Sequence, residues 1–257
     1  MARVRRTLRV ATYNIHKCRG LDGRVRPDRI AQVLREVGAD VIGLQEVLSR
    51  EGGTPEQDQA RFLAETLGLE MHFAPVRSHL GAPYGNLVLS VLPLGLGCTY
   101  DLSVARREAR GCLRADVRLS DTESLHVFNV HLGTAHGERR QQGPRLLEAV
   151  LQESDRLTGP RVVLGDFNEW TVGLVSRLLA SHFRAVDVRG HLRRTRTYPG
   201  FFPFLYLDHV YYDDGLKLTG LALHRTRTAL VASDHLPLVA EFEVPARPGD
   251  SLASEPT

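Results

Sequence analysis

The run Val162-Val163-Leu164-Gly165-Asp166-Phe167-Asn168 sets the pattern on which the reading of this chain turns. A short apolar stretch, the length of a buried strand, ends in a carboxylate and an amide. A carboxylate flanked by apolar residues is costly to bury unless it is paired, hydrogen-bonded or on a metal. The arrangement recurs. Asn14 and His16 close the first apolar run, Glu46 follows Val41-Ile42-Gly43-Leu44-Gln45, and His131 follows Leu125-His126-Val127-Phe128-Asn129-Val130. Asp208 and His209 interrupt Leu205-Tyr206-Leu207 and Val210-Tyr211-Tyr212, and Asp234 and His235 precede Leu236-Pro237-Leu238-Val239. One such residue reads as a strand-end cap; so many in one chain point to a shared site. They supply Asn, Glu, Asp and His without clustered Cys, an inventory that favours a hard, oxygen-liganded cation, Mg2+ or Mn2+.

Between these points the chain reads as short apolar runs with a few amphipathic helices. Strands are expected at 8–15, 40–45, 86–91, 94–102, 111–119, 125–132, 161–164, 205–212, 216–224 and 236–244. Helices are expected at 27–37, 55–67, 138–156 and 172–180. The first has Pro27 in its opening turn, Ile30, Val33, Leu34 and Val37 on one face, and Gly38 as its stop. Strands and helices do not alternate strictly, so a mixed-sheet α/β protein is expected rather than a doubly wound parallel sheet. Residues 1–245 read as a single catalytic domain and 246–257 as a frayed tail.

With 257 residues, the chain is near the upper end for one domain. Apolar residues at 42% and charged residues at 25% exclude a disordered or fibrous chain. No stretch approaches the roughly 20 apolar residues that cross a bilayer. The basic start carries no secretory pattern. Cys18, Cys98 and Cys112 form neither a disulfide framework nor a zinc spacing, and the cytoplasm is the simplest compartment. A net charge of +3 is too weak to diagnose nucleic-acid binding. Of 33 basic residues only Lys17 and Lys217 are lysine; arginine's planar fork suits phosphate oxygens, and the plainer reading is a genome rich in G and C.

In order, the chain carries Thr12-Tyr13-Asn14-Ile15-His16, Leu44-Gln45-Glu46-Val47, Tyr84-Gly85-Asn86-Leu87-Val88-Leu89-Ser90 and Arg107-Glu108-Ala109-Arg110-Gly111. It continues with Asn129-Val130-His131-Leu132-Gly133, Gly165-Asp166-Phe167-Asn168, Leu207-Asp208-His209-Val210 and Ser233-Asp234-His235-Leu236-Pro237-Leu238. This ordered set resembles the endonuclease/exonuclease/phosphatase (deoxyribonuclease-like) superfamily, with an opening like that of an uncharacterised bacterial branch. The resemblance implies two packed mixed β-sheets flanked by helices, a four-layer α/β/β/α sandwich with its site at strand ends on one edge.

It also implies roles. Glu46 and Asn14 would hold Mg2+ (or Mn2+), with Asp234 assisting the metal or its water. Asp166 would orient or deprotonate the attacking water, and Asn168 would hold that water and a phosphate oxygen. His235 would act at the scissile phosphate with its tautomer set by Asp208. His131 would stand on the leaving-group side, oriented by Glu108. Asn86 and Arg110 would contact substrate.

Other residues read more plainly. Asp213 and Asp214 suit a turn, and His126 is structural. His209 alternates to the opposite face, and Trp170 reads first as a packing anchor. The segment 193–199 is a loop or a phosphate contact, and 201–204 packs the loop leading to Asp208. The expected activity is metal-dependent hydrolysis of a small or lipid-derived phosphodiester. A nuclease, a phosphomonoesterase and a catalytically silent binding module are the alternatives. Nucleic acid and a peripheral lipid surface stay open as partners, and so does the oligomeric state.

Overall fold

In a computed structural model, residues 6–152, 157–170, 173–186, 197–198 and 205–245 are described. The expectations for 153–156, 172, 193–196, 199, 201–204 and the tail 246–257 lie outside them. Strands β1 (Arg6–Asn14) and β2 (Val41–Leu48) are parallel neighbours joined through helix α1 (Pro27–Val37). Strands β7 (Ser124–His131) and β8 (Arg161–Asp166) repeat this through α3 (His136–Gln152). A parallel pair needs such a crossover, because a tight turn cannot bring the chain back to the same end. Helix α1 turns its apolar stripe of Ile30, Val33, Leu34 and Val37 inward, each side chain contributing roughly 1.5–3 kcal/mol on burial. It stops at Gly38, whose φ of 55° suits a residue without Cβ.

The remaining strands are β3 (Glu70–His79), β4 (Ala82–Ser90), β5 (Leu94–Asp101), β6 (Gly111–Arg118), β9 (Arg184–Ala185), β10 (Asp208–Tyr212), β11 (Lys217–Leu223) and β12 (Leu238–Val244). They flank the two parallel pairs by antiparallel pairing. The first sheet runs β11-β12-β1-β2-β4-β3 and the second β5-β6-β7-β8-β10-β9. Helices α1, α2 (Gln59–Leu67) and α5 (Ala229–Ala232) cover the outer face of the first sheet. Helices α3 and α4 (Leu174–Ala180) cover that of the second. The expected four-layer sandwich of two mixed sheets is therefore the observed fold.

Strand β3 was not expected. Pro75 interrupts its sequence and most of its residues are partly or fully exposed, as suits an outermost strand where a missing N–H is tolerated. Its pairing with β4 shifts register between Pro75 and Arg77. A Cβ on Gly85 would lie 1.9 Å from the Ala74 carbonyl oxygen, so β4 can approach only as glycine there. Helix α2 starts at Gln59 rather than 55, and strand β10 starts at Asp208 rather than 205.

The face between the sheets is graded along the strands. Strand side chains alternate faces, so every second residue points inward. At one end lie Val10, Val127 and Val162 in the shared apolar core. One step on comes a polar tier: Gln45 Nε2 donates to Thr12 Oγ1 (3.1 Å) and Asn129 Oδ1 (2.7 Å). Asn129 Nδ2 donates to the carbonyls of Leu44 and Leu87, both at 2.9 Å. One step further the same series end in Asn14, His131 and Asp166. The fold thus delivers the site residues as the last inward members of its central strands.

Candidate active site

The site lies beyond the C-terminal ends of both parallel pairs, the position that open α/β sheets use for ligands. Asn14, His131 and Asp166 are the final residues of β1, β7 and β8, and His131 and Asp166 are register partners. Asp208 opens β10 directly across from Asp166. Glu46 arrives differently. The β2–β4 register shifts between Leu44 and Val47, and Glu46 adopts φ 60° within that bulge. A left-handed backbone is unfavourable for a residue with a Cβ and is retained where surrounding structure imposes it. His235 sits on the loop before β12, which is tied down by a 2.8 Å bond from Ser233 Oγ to the Asn14 carbonyl.

Asn14, Glu46, His131, Asp166 and His235 line a pocket of about 430 Å³, with Asp208 fully buried behind them. On its floor, Asp166 Oδ2 accepts from Asn14 Nδ2 at 3.0 Å and lies 3.6 Å from both His131 Nε2 and His235 Nε2. Asp166 Oδ1 accepts the backbone N–H of Asn168 at 2.9 Å. Asn168 has φ 50°, and its side-chain amide donates to the Leu132 carbonyl at 3.0 Å.

The two histidines are held in opposite charge states. His235 Nδ1 lies 2.9 Å from Asp208 Oδ2, the pairing expected from the sequence. Burial opposes its cation, but Asp208, Asp166 and Asp234 outweigh burial and push its pKa up to about 10. Burial and the Arg110 guanidinium push His131 down to about 4, so it is neutral at neutral pH. Arg110 Nη1 is 3.0 and 3.2 Å from the two ring nitrogens of His131. An atom nearly equidistant from both at this range sits over the ring face, not in the line of either lone pair.

Two expectations are corrected here. Glu108 does not orient His131. Its carboxylate is clamped by Arg77 Nη2 (2.7 Å) and Arg110 Nη2 (3.0 Å), so a cation stands against His131 where a carboxylate was expected. Asn86 does not reach the pocket. Its Nδ2 donates to the carbonyls of Gly111 (3.0 Å) and Asn129 (3.3 Å), one tier below the mouth. Tyr84, two residues earlier on the same face of β4, is the residue on the rim. Arg110 lines the pocket.

Glu46 pairs with Lys17 Nζ and accepts from Asn14 Nδ2 at 3.2 Å. Burial would raise its pKa, but His131, Lys17 and Asn14 outweigh that and hold it well below the carboxylate range. Asp234 Oδ1 lies 3.6 Å from His16 Nδ1 and accepts from Ser233 Oγ at 3.3 Å. Among the described residues no group of three or more His, Cys, Asp or Glu forms a metal cage. The donors nevertheless fit a hard divalent ion, which uses one or two carboxylates and keeps several waters. Glu46 is an ionised, largely buried carboxylate already built around a positive charge, and no thiol lines the pocket.

Sequence reading missed Lys17 and Arg77, and it held Tyr198 only within the 193–199 segment read as a loop or a phosphate contact; Tyr198 lines the pocket. Arg77 lies over the Tyr84 ring at 4.1 Å, and the Tyr198 ring is 4.8 Å from that of His235. Lys17 had a signal in its rarity; Arg77 sits on the strand that was not expected. Trp170 is 61% exposed on the pocket rim rather than packed as an anchor. His126 pairs with Asp116 at 2.7 Å away from the pocket, and Asp213 forms the turn before β11.

The family model for the Endonuclease/Exonuclease/phosphatase family matches residues 11–235, which include every residue lining the pocket. The chain belongs to that family. Its members are hydrolases of phosphoester bonds. Protein YbhP of Escherichia coli (strain K12) is 32% identical over 93% of this chain and 97% of its own length. The crystal structure of an endonuclease/exonuclease/phosphatase from Beutenbergia cavernae DSM 12333 matches with a TM-score of 0.75 at 25% identity, over 93% of this chain and 72% of that one. The mannosyl-6-phosphatase of Bacteroides thetaiotaomicron VPI-5482 shares the fold, with a TM-score of 0.71 at 18% identity over 91% of this chain and 99% of that one. No helix among the described residues is long and apolar enough to cross a membrane.

Proposed function

We propose that this family member is a metal-dependent phosphodiesterase that cleaves a small or lipid-derived phosphodiester by attack of an activated water. The observation that carries the reading is the floor of the pocket. One carboxylate oxygen of Asp166 is ringed by Asn14, His131 and His235, beside the separately neutralised Glu46. Phosphoester cleavage needs charge neutralisation, an aligned nucleophile and a proton for the leaving oxygen.

Glu46, with Asn14 and Asp234, would hold Mg2+ or Mn2+, which when bound neutralises phosphate charge and acidifies water. Asp166 aligns the attacking water and accepts its proton, and Asn168 keeps that carboxylate in place through its backbone N–H. His235 supplies the N–H that faces the phosphate and carries the transferable proton, with Asp208 fixing its ring. His131, neutral beneath Arg110, binds rather than protonates. The catalytic unit is residues 1–245, and the cytoplasm is its proposed compartment.

The modest pocket, with Trp170 and Tyr198 on its rim, favours a small substrate. Lys17, Arg77 and Arg110 on one wall favour a second reading, a nuclease. Turnover of an aryl phosphodiester, an aryl phosphomonoester, phospholipid vesicles and plasmid DNA, with Mg2+, Mn2+ or Ca2+ at two salt concentrations, separates them. The diester or the lipid should be the better substrate, and Glu46→Gln and Asp166→Asn should abolish its turnover. DNA cleavage that is far faster and falls steeply with salt, the signature of backbone tracking, would replace this reading with the nuclease.

A further inference from the structure

Lys17 is one of two lysines among 33 basic residues, yet it is the one whose ammonium reaches Glu46. Its backbone is built for that reach. His16, Lys17 and Cys18 are consecutive left-handed residues with φ of 45°, 58° and 55°. Such a run is unfavourable for residues with a Cβ and persists only where neighbours over-determine it. The His16 N–H donates to Asn14 Oδ1 at 3.0 Å, and the Cys18 carbonyl accepts from the Arg26 N–H at 2.8 Å. Gln59, fully buried on α2, donates from Nε2 to the Lys17 carbonyl at 2.7 Å and accepts from the Leu48 N–H at 3.2 Å. One amide therefore clamps the Lys17 turn to β2, the strand that presents Glu46. Glu46 is itself left-handed, so two strained residues are aimed at each other.

Resting on the reading of Glu46 as the cation's carboxylate, we propose that Lys17 is the resident counter-cation of Glu46. It holds the carboxylate until a divalent ion takes it, and then presents its ammonium to the substrate's phosphate. The side-chain chemistry suits exchange. An ammonium is a compact point charge on a flexible stem, whereas a guanidinium would grip a carboxylate in a bidentate fork. A chain that uses arginine almost everywhere has lysine at this position. The released ammonium stays in the pocket, because its backbone is pinned and the Tyr84 ring lies 5.8 Å from Nζ.

Calorimetric titration of Mn2+ into wild type, Lys17→Met, Lys17→Arg and Glu46→Gln tests this, alongside melting in EDTA and in Mn2+. Lys17→Met should bind Mn2+ about tenfold more tightly, because a partly buried competing ion pair is gone. It should melt lower than wild type in EDTA and gain more from Mn2+, since ligand affinity appears as native-state stabilisation. Its KM for bis-para-nitrophenyl phosphate should rise more than its kcat falls. Lys17→Arg should bind Mn2+ more weakly than wild type, and decides the matter if Lys17→Met does not fold. Unchanged or weaker Mn2+ binding by Lys17→Met, or unchanged binding by Lys17→Arg, overturns the Lys17 role while Glu46→Gln still loses the ion. Wild-type binding by Glu46→Gln removes the reading of Glu46 and the Lys17 role with it.

Discussion

Asn14 and Asp166, from different sheets and far apart in sequence, are joined by a 3.0 Å hydrogen bond at the floor of the pocket. The same Asn14 Nδ2 also donates to Glu46 at 3.2 Å. One neutral amide thus keeps two carboxylates at a fixed separation without adding charge. Asn14→Leu keeps the volume and removes both bonds, so we expect a folded protein with kcat lowered by about a hundredfold, the typical cost of misplacing reacting groups by an ångström. Asn14→Asp sets a third carboxylate against the other two and should be worse in activity and in melting temperature. Steady-state kinetics with a melting curve for each variant checks both; an Asn14→Leu enzyme with near-normal kcat contradicts the role.

His235 and His131 should leave opposite marks on stability against pH in metal-free protein. The folded pKa of His235 is raised to about 10, so its contribution is complete below the unfolded value of about 6.5 and is lost as pH rises toward 10. His131 is depressed to about 4, so the unfolded chain gains a proton first, and stability is lost as pH falls from about 6.5 toward 4. Melting in EDTA from pH 4 to 10 should show the gap between wild type and His235→Asn narrowing on the alkaline side. The His131→Asn variant should diverge from wild type only on the acid side, retaining stability that wild type loses there. An alkaline limb parallel in wild type and His235→Asn rules out a cationic His235 in the resting protein.

Much of this site was legible because it is periodic. Asn14, His131 and Asp166 each end an apolar run in which every second residue faces the other sheet, so the last inward position is polar by pattern alone. Helix α1 was legible to the residue because Pro27 and Gly38 mark both ends locally. What failed depended on contacts between distant segments. Glu108 has two arginines in reach, and nothing in Arg107-Glu108-Ala109-Arg110 says that Arg77 will arrive from β3. Asn86 lies in a motif with Tyr84, and only the depth of β4 in the sandwich decides which of them meets solvent. The charge of Lys17 was visible, but its direction depends on a left-handed turn held by Gln59.

Trp170 is the only tryptophan in the chain, and it is exposed on the pocket rim. Any ligand with a planar arm that settles there should alter its emission without labelling. Stacking on an aromatic side chain is worth about 1–3 kcal/mol per planar group. Trp170→Ala should therefore raise KM for an aryl phosphodiester by roughly five- to a hundredfold at similar kcat, while an alkyl phosphodiester is barely affected. An exposed side chain carries little fold stability, so the melting temperature should move by no more than a degree or two. Equal KM changes for the aryl and alkyl substrates would remove Trp170 as a platform.

Asn129 links this chemistry to the interior. It donates to the carbonyls of Leu44 and Leu87, register partners beside the bulge that turns out Glu46, and it accepts from Gln45. Asn129→Leu takes the amide donor from both buried carbonyls, at about 1–3 kcal/mol each, while Gln45 Nε2 keeps Thr12 Oγ1 and the Gly43 carbonyl, so a loss of at least about 2 kcal/mol is expected. Asn129→Asp is nearly isosteric but has no donor for either carbonyl and adds a buried charge, so it should cost more than the leucine. That order, aspartate below leucine below wild type in urea denaturation, separates loss of the amide donors from a mere change of shape. Slack at the bulge should also loosen Glu46, so Asn129→Leu should weaken Mn2+ binding measured below its unfolding transition. An Asn129→Leu protein within about 0.5 kcal/mol of wild type, a shift typical of ordinary surface substitutions, would mean that the two sheets do not depend on this amide.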